Sequence, residues 1–201
     1  MRIILFLITL SFAAGSALAA NTILVFGDSL SAGYGIRQDA AWPALLTQRL
    51  QQKRLDYSVA NLSISGETSA GGRSRLPAAL QQYRPAIVIL ALGANDGLRG
   101  LPLQQLRANL EAMIEASRKS GARVLLVGMR LPPNYGEYAQ RFAALFAETA
   151  RNRKVALLPF LLEGIADRPE FFQADMLHPT AAAQNQLLKT LWPALVPLLR
   201  R

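Results

Sequence analysis

Short apolar runs alternating with longer stretches of helical periodicity predict an α/β fold in which helices cover both faces of a parallel sheet. Three observations carry that expectation. Five runs, at 22–26, 57–62, 87–92, 124–127 and 155–158, are short and mostly apolar, as strands buried on both faces are. The stretches between them repeat apolar residues three and four apart, the spacing of one helix face. The length of 201 residues, about half of them apolar and with no internal repeat, suits one domain with a substantial core.

In order, Thr22-Ile23-Leu24-Val25-Phe26 is the first strand, ended by Gly27 and Asp28. The stretch 41–54 reads as a helix, with Trp42, Leu45, Leu46 and Leu50 on one side and Gln48, Arg49, Gln52 and Lys53 on the other. A second strand at 57–62, a helix at 69–83 and a third strand at 87–92 follow. Pro102 is suited to the first position of the next helix. Leu103, Leu106, Leu110, Met113 and Ile114 form its apolar face, and it ends near Gly121, a C-terminal cap. After the strand at 124–127, a loop with Leu131-Pro132-Pro133 leads to a helix carrying Phe142, Leu145 and Phe146. The last strand, 155–158, is joined by a long connection to a closing helix over 180–199, which Pro193 and Pro197 should kink or fray.

The first twenty residues differ from the rest. Arg2 precedes an apolar run at 3–14 and the small-residue pattern Ala17-Leu18-Ala19, the layout of a cleavable secretory signal. A signal peptide at 1–19, a single mature domain at 20–201, and a periplasmic or secreted location are therefore expected. The apolar run is shorter than the roughly 20 residues of a spanning helix. With no cysteine in the chain, lipoprotein attachment and disulfides are excluded, so stability must come from the core. The net charge of +9 is scattered rather than gathered into a basic arm, so nucleic acid is not an expected partner. Weak attraction to anionic lipid, as in transient contact with a membrane surface, is compatible with that charge, and a monomer is expected.

In an open parallel sheet, ligands bind outside the carboxyl ends of the strands. There the sequence places Gly27-Asp28-Ser29-Leu30 after the first strand, Gly66 within Ser63-Ile64-Ser65-Gly66-Glu67-Thr68 after the second, and Gly93-Ala94-Asn95-Asp96 after the third. Asp175 and His178 close the long loop after the fifth, and His178 is the only histidine. These are the parts acyl transfer needs. A serine hydroxyl attacks only when a base takes its proton, and His178 is the one credible base for Ser29. The anionic intermediate needs fixed donors, which the N–H groups of Ser29 and Gly66 and the amide of Asn95 can supply. Asp175 can orient the imidazole.

Each group taken singly has a plainer reading: a strand-ending turn for Gly27-Asp28-Ser29-Leu30, a tight turn at Gly66, a helix cap at Gly93, and a packed or surface histidine. Their joint appearance on one sheet edge favours catalysis. Ser31 stands where a nucleophile elbow has glycine, so the Gly-x-Ser-x-Gly motif is absent. The rival from another class is a non-catalytic α/β binding module using Gly33-Tyr34-Gly35, but no third glycine follows at dinucleotide spacing and Asp28 would repel phosphate. One histidine and no cysteine make zinc improbable, and no metal or other cofactor is expected.

Together these blocks resemble the SGNH (GDSL) hydrolase family over essentially the whole mature chain. The resemblance rests on 26–30, Gly66-Glu67-Thr68, 93–100, Arg130-Leu131-Pro132, Asn134-Tyr135-Gly136, Leu157-Leu158-Pro159-Phe160 and 175–179. It implies a three-layer flavodoxin-like fold with a five-stranded parallel sheet. It also implies a Ser29, Asp175 and His178 triad and an oxyanion hole of Ser29, Gly66 and Asn95. The implied activity is hydrolysis of medium to long acyl esters and thioesters, including aryl esters, lysophospholipids and acyl-CoA, through an acyl-enzyme. A carbohydrate or small-ester deacetylase of the same family is the alternative. An apolar loop at 97–102, with Leu98 and Leu101, is expected over the acyl groove, and Leu131 and Pro132 should form another part of it. Two positions depart from the family's common pattern: Ala94 and Met176 stand where glycine is frequent.

Overall fold

In the computed structural model the described residues are 21–199, so the expected signal segment 1–19 lies outside them. The five apolar runs form β1 (Asn21–Gly27), β2 (Tyr57–Asn61), β3 (Ile87–Ala91), β4 (Arg123–Val127) and β5 (Ala156–Leu158). Between them lie α1 (Ser29–Ala32), α2 (Trp42–Gln52), α3 (Ser69–Tyr83), α4 (Ala94–Leu98), α5 (Leu103–Lys119) and α6 (Gly136–Arg153), and α7 (Gln184–Leu195) follows β5. All neighbouring strands pair in parallel, in the order β2-β1-β3-β4-β5. That is the flavodoxin-like order, whose direction of winding reverses between β1 and β3 and leaves a crevice there.

Strand side chains alternate between two cores, as a period of two requires. Ile23, Val25, Ile87, Ile89 and Leu125 meet α2 and α7 through residues such as Trp42, Leu46, Leu187 and Leu191. Leu24, Phe26, Val88, Leu90 and Leu126 meet α3, α5 and α6 through residues such as Leu76, Leu110, Met113 and Phe142. The predicted three layers are thus present. Trp42 ties one layer to the sheet edge: its backbone N–H donates to the Gln184 side chain at 3.0 Å and its indole N–H to the Leu30 carbonyl at 3.2 Å. Both donors are buried, so each needs its acceptor.

Element ends differ from expectation where local backbone chemistry decides. Pro102 caps α5 from outside, because its ψ of 120° is extended; its carbonyl accepts from Gln105 and Leu106. The closing helix is interrupted: α7 is flanked by 3₁₀ turns at Ala181–Ala183 and Val196–Leu198, with Pro193 inside the helix and Pro197 in the second turn. Part of the scattered positive charge also has a local role. Arg54, Arg84 and Lys154 take left-handed backbone conformations just past α2, α3 and α6, where a cation complements the helix dipole.

Candidate active site

The carboxyl ends of β1, β2 and β3 deliver the first three groups. β1 runs into α1 with Asp28 as its N-cap, whose carboxylate accepts the Leu30 N–H at 3.1 Å. Ser29 is therefore the first helical residue, and its own N–H has no acceptor inside the helix. Burial pushes the Asp28 carboxyl up to about 7 despite the Leu30 N–H, and the nearby charges of Asp96 and Glu67 act in the same direction. Gly66, at φ 79°, turns the chain after β2. α4 begins after Gly93, whose φ of 119° and contact distance of 3.0 Å from an added Cβ to the Phe146 ring leave no place for a side chain.

Asn95 stands on the first turn of α4 and donates one amide hydrogen to the Glu67 carbonyl at 3.1 Å, which leaves the second free. Beneath it, Asp96 is buried and accepts from the Ser69 N–H at 2.8 Å and the Ser69 hydroxyl at 2.5 Å. Asn109 donates to the Ser69 hydroxyl at 3.0 Å and accepts from Arg73 at 3.2 Å. Glu67 pairs with Arg75, whose guanidinium lies 4.1 Å from the Phe26 ring centre. This polar floor locks α3, α4 and α5 together directly under Gly66 and Asn95.

The fourth group arrives from the connection between β5 and α7. One Asp175 oxygen accepts the N–H groups of Leu177 at 2.9 Å and His178 at 3.0 Å; the other meets His178 Nδ1 at 2.6 Å. The His178 amide, then its imidazole, then the Leu177 amide hold the Asp175 carboxyl down to about 2. An ionised carboxylate only accepts, so Nδ1 carries the hydrogen and Nε2 offers a lone pair. Ser29 Oγ lies 2.9 Å from Nε2, to which it donates in the Nδ1-protonated tautomer. Ser29, His178 and Asp175 are thereby joined in one hydrogen-bonded chain.

These groups open onto a cavity of about 730 Å³ lined by Ser29, Gly66, Asn95 and His178. Leu98, Leu131 and Pro132 line it as expected, but Leu101 does not. Gly100 turns the chain at φ 64° and the Leu101 N–H donates back to the Asp96 carbonyl, so the loop closes on α4 and leaves the Leu101 side chain exposed. Tyr135 and Tyr138 further tether this loop, donating their hydroxyls to the carbonyls of Leu98 and Leu101 at 3.1 and 2.7 Å. Met129, Phe160 and Phe172 add to the apolar wall, and none of them is among the groove residues expected from the sequence. Two of them follow β4 and β5 closely, so the strand-end rule applied to every strand would have found them.

Gln173 was also missed. Its N–H donates to the His178 carbonyl at 2.8 Å, and its side-chain amide donates to the carbonyls of Tyr34 at 2.8 Å and Pro179 at 3.1 Å. It brackets the histidine loop to the segment after α1, and no local pattern in the sequence marks it.

A serine aligned with an imidazole, donors beside it and an apolar chamber suit nucleophilic attack on an acyl carbonyl. Known proteins agree with that chemistry. The chain is 50% identical over 182 residues to esterase TesA of Pseudomonas aeruginosa, covering 90% of each chain. It is 44% identical over 195 residues to thioesterase 1/protease 1/lysophospholipase L1 of Escherichia coli K12, covering 96% of this chain and 91% of that one. A crystal structure of TesA superposes with a TM-score of 0.88 at 49% identity, over 89% of this chain and all of that one. The family model described as GDSL-like lipase/acylhydrolase matches residues 25–185. That span holds every group the cavity gathers around Ser29, and the chain belongs to the GDSL-like lipase/acylhydrolase family.

Proposed function

We propose that this ester and thioester hydrolase works through a Ser29 acyl-enzyme and takes medium to long acyl chains, with lysophospholipids among its natural substrates. The observation that carries the reading is the Asp175–His178–Ser29 hydrogen-bonded chain at the floor of the apolar cavity. Ser29 Oγ attacks the acyl carbon while His178 Nε2 takes its proton. The carbonyl oxygen becomes an anion facing the N–H groups of Ser29 and Gly66 and the free hydrogen of Asn95. Asp175 keeps the Nδ1 hydrogen in place and balances the imidazolium.

The intermediate collapses when Nε2 passes the proton to the leaving oxygen or sulfur, which departs as an alcohol or thiol. Water, deprotonated by the same nitrogen, then releases the acid and restores Ser29. The leucine, methionine and phenylalanine walls support a long acyl chain over acetyl. The layout of 1–19 supports export, which removes the enzyme from cytosolic acyl-CoA and leaves lysophospholipids accessible. Since one chain supplies every group in the mechanism, a monomer suffices.

The test is a panel crossing acyl length with ester and thioester leaving groups, run beside Ser29→Ala. Decanoyl substrates should be preferred over acetyl ones, and Ser29→Ala should lower kcat by roughly 10⁵- to 10⁶-fold. Unchanged turnover in Ser29→Ala would remove the serine mechanism, and a preference for acetyl esters would favour a deacetylase.

A further inference from the structure

The segment Gly33-Tyr34-Gly35 has no part in the chemistry described so far, yet it lies against the base. The Tyr34 ring centre is 4.4 Å from that of the His178 imidazole, with the planes tilted by 39°. Its backbone is held there from both sides. Gly33 and Gly35 take φ values of 73° and 72°, and the Tyr34 carbonyl accepts from Gln173 at 2.8 Å. A side chain on Gly35 would collide with the Gln173 amide. The Tyr34 side chain lines the cavity and remains 51% exposed. The backbone that carries the ring is thus held in place, and the ring lies against the imidazole while one part of it stays open to a ligand.

The position matters because of what His178 must do. To hand its proton to the departing atom, Nε2 must be within about 3 Å of it, so groups bordering the imidazole also border the leaving group. Besides Tyr34, Met176 and Leu177 line the cavity at His178 and are 59% and 41% exposed. Met176 has φ 53°, the left-handed conformation that Arg54 and Lys154 also take. An apolar side chain exposed at this mouth is positioned to be covered by an apolar leaving group.

We propose that Tyr34 determines leaving-group specificity, its ring forming with Met176 and Leu177 a subsite for planar aromatic alcohols and thiols. This rests on the Ser29 mechanism above and adds the leaving-group side to it. In the acylation of an aryl ester, the bond from Ser29 Oγ to the acyl carbon forms and the bond from that carbon to the aryl oxygen breaks. The proton from Ser29 reaches the aryl oxygen through Nε2, and a phenol leaves from the face of Tyr34.

The experiment compares phenyl hexanoate with hexafluoroisopropyl hexanoate, two esters of one acid whose alcohols have comparable acidity. Both form the same acyl-enzyme, so deacylation is common and kcat/KM isolates the leaving group. Tyr34→Ala and Tyr34→Leu should each lower kcat/KM for the phenyl ester by roughly three- to tenfold, the worth of one aromatic contact, relative to the fluoroalkyl ester. Tyr34→Phe should keep the wild-type ratio, because the ring provides the contact. Equal losses on both esters would make Tyr34 a positioning residue for the imidazole alone and overturn the subsite, as would no loss on either. A Ser29→Ala variant that still turned over both esters would instead overturn the underlying mechanism, so the two failures are distinguishable.

Discussion

Ser29 and Asn95 stand on short helices above a buried polar floor, whereas Asp175 and His178 hang from a connection held by its own local hydrogen bonds. Under the first pair, Asp96, Ser69 and Asn109 satisfy one another out of solvent, and Glu67 and Arg75 clamp the neighbouring turn. In the second, Asp175 is 42% exposed and is fixed by two amides and one imidazole only two and three residues away. The donors expected to receive an anion are thus preorganised by packing across three helices. The base is preorganised by a turn and by Gln173. Damage to the first half should spread into the fold, while damage to the second should stay in the chemistry.

Asp175→Ala is the strongest way to break the exposed half. It should lower kcat by roughly 10⁴-fold, because the imidazole loses its orienter, and leave the melting temperature near that of the wild type by calorimetry. A large stability loss would show that the connection depends on more than its local bonds. Asn95→Ala should lower kcat by roughly 10²- to 10³-fold with KM little changed, the expected loss of one oxyanion donor. Asp96→Ala, one residue on, should reduce stability as well, since the Ser69 N–H and hydroxyl would be left buried without their acceptor, at about 1 to 3 kcal/mol for each group. Unfolding curves for both variants at one pH check that split.

A pH-dependent effect concerns the buried Asp28 carboxyl at the N-cap of α1. Asp28 titrates near 7 in the folded protein and near 3.8 when free, so between those values the folded state holds a proton the unfolded state has lost. Stability should therefore be greatest below that window and fall as pH rises through it, by at most about 1.4 kcal/mol per pH unit. In Asp28→Asn, which keeps an oxygen to accept the Leu30 N–H, this fall should flatten. Asp175 has the opposite sign, its contribution being present above its unfolded value and lost in strong acid. Denaturant melts from pH 4 to 8 on both proteins measure the difference.

Much of this was legible from periodicity and the strand-end rule. The five strands, both helical layers and the four polar groups follow from where apolar runs stop, and the scarcity of histidine singled out His178. What escaped depends on distance along the chain. Ser69 and Asp96 lie 27 residues apart and Ser69 and Asn109 40 apart, and each taken alone is an ordinary polar residue on a helix. Gln173 resembles any loop glutamine until Tyr34, 139 residues away, is brought beside it. The helices α1 and α4 are too short to show a period. Leu101 was misread because apolar character in a loop does not say which way the loop turns; Gly100 and the bond back to Asp96 decide that.

The bond between Ser29 and His178 joins residues 149 positions apart, nearly the two ends of the described chain. A nascent or truncated molecule lacking its last few dozen residues would carry the serine and its N-cap but no base. Under the mechanism proposed above, esterase activity should therefore report that the C-terminal connection has docked, a contact whose long intervening chain makes it slow to close.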